Sequence, residues 1–100
     1  MKAFEITKDI FIVGGPEITD GRDGCIYSIN LRELILIDTG AGWSVDKIIN
    51  NIQKLGLSFK NLRKILLTHC HIDHIGGVPE IKKRFGRIRR IRDGSQILFS

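Results

Sequence analysis

One hundred residues, 42% hydrophobic and 27% charged, are enough for one small globular domain and too few for two, a balance that also excludes a disordered chain. No apolar run approaches the ~18 residues of a membrane span, and the opening MKAFEITKDIFIV alternates where an export signal would be uninterrupted, so a cytoplasmic chain with no membrane partner and with Cys25 and Cys70 reduced is expected. The net charge of +5 is uneven: residues 1–79 carry nine Lys/Arg against nine Asp/Glu and residues 80–100 seven against two, which disfavours a nucleic-acid partner except through the basic tail KKRFGRIRRIR.

In chain order, KAFEI and DIFIV are short alternating runs across the turn TKD and predict a β-hairpin. GGPEITDGRDG holds four glycines and a proline in eleven residues and predicts a long loop. CIYSIN and LILID predict two strands joined by a turn around Leu31, Arg32 and Glu33; the second is a nearly continuous apolar run, as in a well-buried strand, and ends in Asp38. After the turn TGAGW, the segment SVDKIINNIQKLG predicts a helix with Ser44 as N-cap, Val45, Ile48, Ile49, Ile52 and Leu55 on one face, and Gly56 as the stop. Trp43 is expected to pack against the protein or staple that helix. SFKNLRK suits a short helical turn, KILLT a buried strand, and PEIKKRF a second helix with Pro79 at its first position and its end at Gly86. Strand, helix, strand, helix is an α/β order, with LILID and KILLT parallel in one sheet. GRIRRIRDGSQILFS shows no clear amphipathic period; it reads either as a further strand and helix or, over residues 87–100, as a non-native, truncated tail.

All three histidines fall within THCHIDHIGG. Imidazole is the commonest protein ligand for zinc, and a carboxylate is its usual oxygen partner. His69 and His71 project to one side if the backbone is extended, and Asp73 and His74 follow across a turn. Gly76 and Gly77 permit a tight path behind them, and Thr68 is placed to hydrogen-bond nearby backbone as the strand ends. Isolated histidines are more often structural, but four donors in His-x-His-x-Asp-His order after a buried strand outweigh that reading. His69, His71, Asp73 and His74 are therefore the candidate metal ligands. Asp38 has two readings, a carboxylate that steadies the site or a cap for its own DTGAG turn.

THCHIDHIGG, with ILIDTGAG upstream, resembles the metallo-β-lactamase superfamily over about residues 10–86. The resemblance implies the N-terminal half of a four-layer αββα sandwich, a mixed sheet with helices on one face, with residues 1–100 a single partial domain. It implies one metal on His69 and His71, a second on Asp73 and His74, and Asp38 supporting them. Asp73 and Asp38 are then the catalytic candidates, Asp73 also orienting a metal-activated water that attacks the substrate. Zinc is the expected ion, two in a complete site, with iron and manganese using the same ligand types. The family draws a further histidine, a bridging aspartate and a last histidine from its second half, and no histidine follows His74. The sheet face without helices needs a covering layer, so a complementing C-terminal half or a homodimer is the expected partner. By the same resemblance the substrate is a small ester or thioester, as in glyoxalase II-like hydrolases. The alternatives are a metal-dependent nuclease using the basic tail and a half-domain that catalyses nothing.

Overall fold

The computed structural model describes residues 2–68, 76–85, 88–91 and 96–99. Alternation at the start of the chain produces strands β1 (Phe4–Thr7) and β2 (Ile10–Gly14), an antiparallel hairpin whose register slips between Glu5 and Thr7. Asp9 turns it with φ of 65°, and its N–H donates to the Glu5 carboxylate at 3.0 Å. After the loop come β3 (Ile26–Asn30), antiparallel to β2, and β4 (Leu34–Ile37), antiparallel to β3. β5 (Leu62–Leu66) pairs with β4 in parallel and starts two residues before the predicted KILLT. Helix α1 (Val45–Lys54) and a 3-10 turn (Phe59–Asn61) cross between them.

Helix α2 (Val78–Phe85) begins one residue before Pro79, whose missing N–H costs nothing in a first turn. The predicted stop at Gly86 lies outside the described residues. Beyond it, β6 (Ile88–Ile91) and β7 (Gln96–Phe99) pair antiparallel, and β7 lies against β5, giving the sheet order β1-β2-β3-β4-β5-β7-β6. This corrects the strand-and-helix reading of the last fifteen residues: two runs too short for a helix flank Asp93-Gly94, a dipeptide that favours hairpin turns. The expected mixed sheet is present, with β4 and β5 as its one parallel pair among the described strands.

Register sorts the side chains into two faces. Phe11, Ser28, Leu36 and Ile65 lie opposite one another across β2 to β5 and are all buried. They meet Val45, Ile48 and Ile52 of α1 and Ile81 of α2 in one core, so the two helices cover the same face. Ile12, Tyr27, Ile37 and Leu66 form the matching row on the opposite face and are only half-buried. That apolar row fits the expected need for a covering layer. On its margin the exposed Cys25 is a free thiol; its negative charge when ionised, and then burial, push the Tyr27 phenol up.

Helix α1 ends as its sequence predicts. Gly56 takes φ of 82°, its N–H donates to Gln53 C=O and the Leu57 N–H to Ile52 C=O, which satisfies two terminal carbonyls in a Schellman motif. Its start differs in one respect. Ser44 stands at the N-cap position, its C=O accepting from Ile48 N–H at 2.9 Å, yet its side chain makes no capping bond because Oγ turns inward and is buried. Ser28 Oγ is likewise buried under α1, with no partner among the described residues. A buried hydroxyl without a partner costs about 1–3 kcal/mol, so Ser28→Ala is expected to raise stability by about 1 kcal/mol. An unchanged or lower urea midpoint would refute this. No helix among the described residues is long and apolar enough to cross a membrane.

Candidate metal centre

Parallel pairing of Ile37 with Leu66 brings the carboxyl ends of β4 and β5 side by side. The next residue on β4 is Asp38, whose φ of 66° is a left-handed value that aspartate tolerates better than most residues. Its N–H donates to Leu66 C=O at 2.9 Å. Its carboxylate, 2% exposed, accepts the Thr68 N–H at 2.9 Å on Oδ1 and the Thr68 hydroxyl at 2.7 Å on Oδ2. Thr68 immediately precedes His69. These bonds run across to the end of β5, so the Asp38 carboxylate joins the two strand ends, and the Thr68 hydroxyl donates to that carboxylate.

The far side of the histidine segment is fixed to the same turn. Gly77 N–H donates to the buried Thr39 Oγ1 at 3.0 Å. At Gly76 an added Cβ would lie 2.2 Å from the Ala41 carbonyl carbon and oxygen, and at Gly42, where φ is 105°, it would lie 2.7 Å from Gly76 O. Only bare backbone lets the two strands of chain approach so closely. His69, His71, Asp73 and His74 lie outside the described residues, among which no group of three or more His, Cys, Asp or Glu side chains could hold a metal. What the structure shows is their framing, with the residue before His69 and the glycines that follow Ile75 both tied to residues 38–42.

Asp23 is a supporting residue that sequence reasoning missed. It is 3% exposed; Oδ1 accepts the Ala41 N–H at 2.8 Å and Oδ2 the Thr19 hydroxyl at 2.5 Å. Thr19 Oγ1 in turn accepts the Gly15 N–H at 3.1 Å. Gly40, with φ of 75°, leaves room for the carboxylate, since a Cβ there would meet Asp23 Oδ1 at 2.6 Å. The glycine-rich loop is therefore a brace for the turn that braces the histidine segment. Its signal in the sequence is an acid between Arg22 and Gly24 in a segment otherwise read only for its breakers.

Trp43, expected to pack or staple, is instead 69% exposed. The Arg22 guanidinium carbon lies 4.4 Å from its ring centroid. Arg22 Nε and Nη2 donate to the two Asp20 oxygens, each at 2.9 Å. That side-chain bond, then the Arg22 backbone N–H, holds the Asp20 carboxyl well below the usual carboxylate range and raises Arg22 in turn.

Residues 29–93 match the family described as the metallo-beta-lactamase superfamily, a span that takes in β4, α1, β5 and α2. The chain belongs to the metallo-beta-lactamase superfamily. Among superfamily relatives, a hydroxyacylglutathione hydrolase of Haemophilus influenzae is 39% identical over 55 residues, covering 55% of this chain and 24% of that protein. A ribonuclease Z of Bradyrhizobium diazoefficiens is 34% identical over 64 residues, 64% of this chain and 18% of that protein. A class B3 di-zinc metallo-beta-lactamase from an Alaskan soil metagenome superposes with a TM-score of 0.74 at 31% identity, covering 86% of this chain and 31% of that one. The chain thus spans 18–31% of the length of these superfamily members. Three imidazoles and a carboxylate are the donor types that zinc takes, and the glycines that follow them in sequence are held tight against residues 39–41, so the residue types present fit the ion.

Proposed function

We propose that this chain supplies the ligand-bearing part of a metal-dependent hydrolase that cleaves a small ester or thioester, with an acylglutathione-type thioester as the substrate. The observation that carries the reading is the fixing of both flanks of residues 69–75 to one turn at the carboxyl ends of two parallel strands. Ligands built on a braced segment lose little when a metal arrives, because their supports are already ordered. His69 and His71 would hold one ion and Asp73 and His74 a second, zinc by donor type, with iron or manganese as the other candidates. A bound zinc supplies hydroxide at neutral pH by lowering the pKa of water from about 15.7 towards 7. Asp73 would orient the attacking water and so take part directly in the reaction. Asp38 works through Thr68, holding the strand end from which His69 departs, and so is a positioning residue.

The similarity to the hydroxyacylglutathione hydrolase supports the thioester class. The remaining ligands would come from a C-terminal half, or from a second copy, seated on the half-buried row Ile12, Tyr27, Ile37 and Leu66. After zinc loading and dialysis, the purified chain is expected to retain zinc by elemental analysis, and His71→Ala to lose most of it. With the complementing half present, hydrolysis of an acylglutathione should depend on that zinc. A protein that stays empty both alone and with its complement would overturn the proposal. The basic excess of residues 80–100 and the similarity to ribonuclease Z favour a nuclease as the second reading. Zinc-dependent RNA cleavage that weakens steeply with salt, without thioester hydrolysis, would put it first.

A further inference from the structure

We infer that Arg22 and Trp43 form a recognition rim next to the turn that frames the histidine segment, which takes the carboxylate-bearing, amide-rich thiol portion of the substrate. The inference rests on the thioester reading above and names the part of that substrate these residues hold. Arg22 lies in the loop that braces the turn at residues 39–42, and Trp43 immediately follows that turn. Arg22 adjoins Asp23, which accepts the Ala41 N–H, and Trp43 follows Gly42, which abuts Gly76 at the end of the histidine segment.

The pair is ordered before any ligand arrives. Asp20 holds Arg22 through Nε and Nη2, and Arg22 covers one face of the indole, so little side-chain freedom remains to be lost on binding. Two recognition elements stay available. The indole is 69% exposed, a flat apolar surface suited to planar amide groups, and Arg22 Nη1 has no partner among the described residues, leaving a charged donor for a carboxylate. Aromatic and arginine side chains together are the composition that concentrates binding energy at contact surfaces. A glutathione moiety carries both complementary features, two amide planes and two carboxylates.

The chain has a single tryptophan, so its emission reports Trp43 alone. Zinc-loaded protein is titrated with S-methylglutathione, which has the amides and carboxylates but no scissile thioester, and with its dimethyl ester, which lacks the free carboxylates. A saturable emission change is expected with S-methylglutathione, with Kd raised about tenfold or more in Arg22→Ala, as loss of a charge-assisted hydrogen bond implies. The diester should bind the parent protein and Arg22→Ala equally weakly. No saturable change, a diester that binds the parent as tightly as S-methylglutathione, or the same Kd for S-methylglutathione in Arg22→Ala and the parent, overturns the inference. The diester comparison uses unaltered protein, so it decides the matter even where the variant folds poorly. Zinc measured in the same samples separates the two readings: zinc retained without an emission change removes the rim and leaves the metal site, whereas an emission change without zinc keeps the rim and removes the metal site.

Discussion

Asp38→Ala is expected to destabilise the protein by about 3–5 kcal/mol and to abolish zinc retention. Three effects combine. The Thr68 N–H and hydroxyl lose their acceptors; Thr68 is exposed and water takes over part of each bond, so each loss costs roughly 1–1.5 kcal/mol. Alanine must also take φ of 66°, which costs roughly 1–2 kcal/mol. Against a total stability of about 5–15 kcal/mol for a domain of this kind, that sum is a large share. Asp38→Asn separates the contributions: asparagine tolerates the left-handed backbone and keeps one acceptor oxygen, so an intermediate urea midpoint is expected. Should Asp38→Ala unfold at the urea concentration of the parent, the clasp between β4 and β5 carries no weight in this fold.

Much of the frame around Asp38 was legible because it depends on short-range pattern. The period of Val45, Ile48, Ile52 and Leu55 and the glycine at 56 specified α1 to within a residue, and the hydrophobic alternation specified the first hairpin. What escaped depends on contacts between distant segments. Asp23 looks like an ordinary loop acid until the turn at residues 39–42 is brought against it. Ser44 occupies the cap position its sequence suits, but the buried approach of the chain turns its hydroxyl away from the helix amides. Trp43, expected to pack or staple the helix, lies 69% exposed with Arg22, twenty-one positions earlier in the chain, over its ring. The strands β6 and β7 were obscured because each is only four residues long and charged residues interrupt the first. The candidate ligands, which lie outside the described residues, make the most conspicuous pattern in the sequence because four donors fall within six consecutive residues; the contacts that frame them, spread over residues 19–77, leave the weakest trace there.

Gly76→Ala is expected to lower zinc affinity and stability together. The added Cβ would stand 2.2 Å from the Ala41 carbonyl carbon and oxygen, which are backbone atoms and cannot rotate aside, so residues 76–77 and 39–42 must separate. Separation pulls Gly77 N–H from Thr39 Oγ1 and frees the far flank of the histidine segment, while the core beneath α1 is untouched. Loss of support behind metal ligands typically lowers metal affinity about 10–100-fold, against an overpacking cost of about 1–3 kcal/mol in stability. Gly56→Ala is the control. Its φ of 82° makes alanine unfavourable there, yet nothing lies within 4 Å of the new Cβ, so it should lower the urea midpoint by about 1 kcal/mol and leave zinc affinity alone. The two glycines are alike in chemistry but opposed in consequence, one needed for a backbone angle and the other for a backbone contact. Equal zinc affinity in Gly76→Ala and the parent protein would mean that the ligands do not depend on the turn, and the reading of residues 38–42 as the brace of a metal site would fall with it.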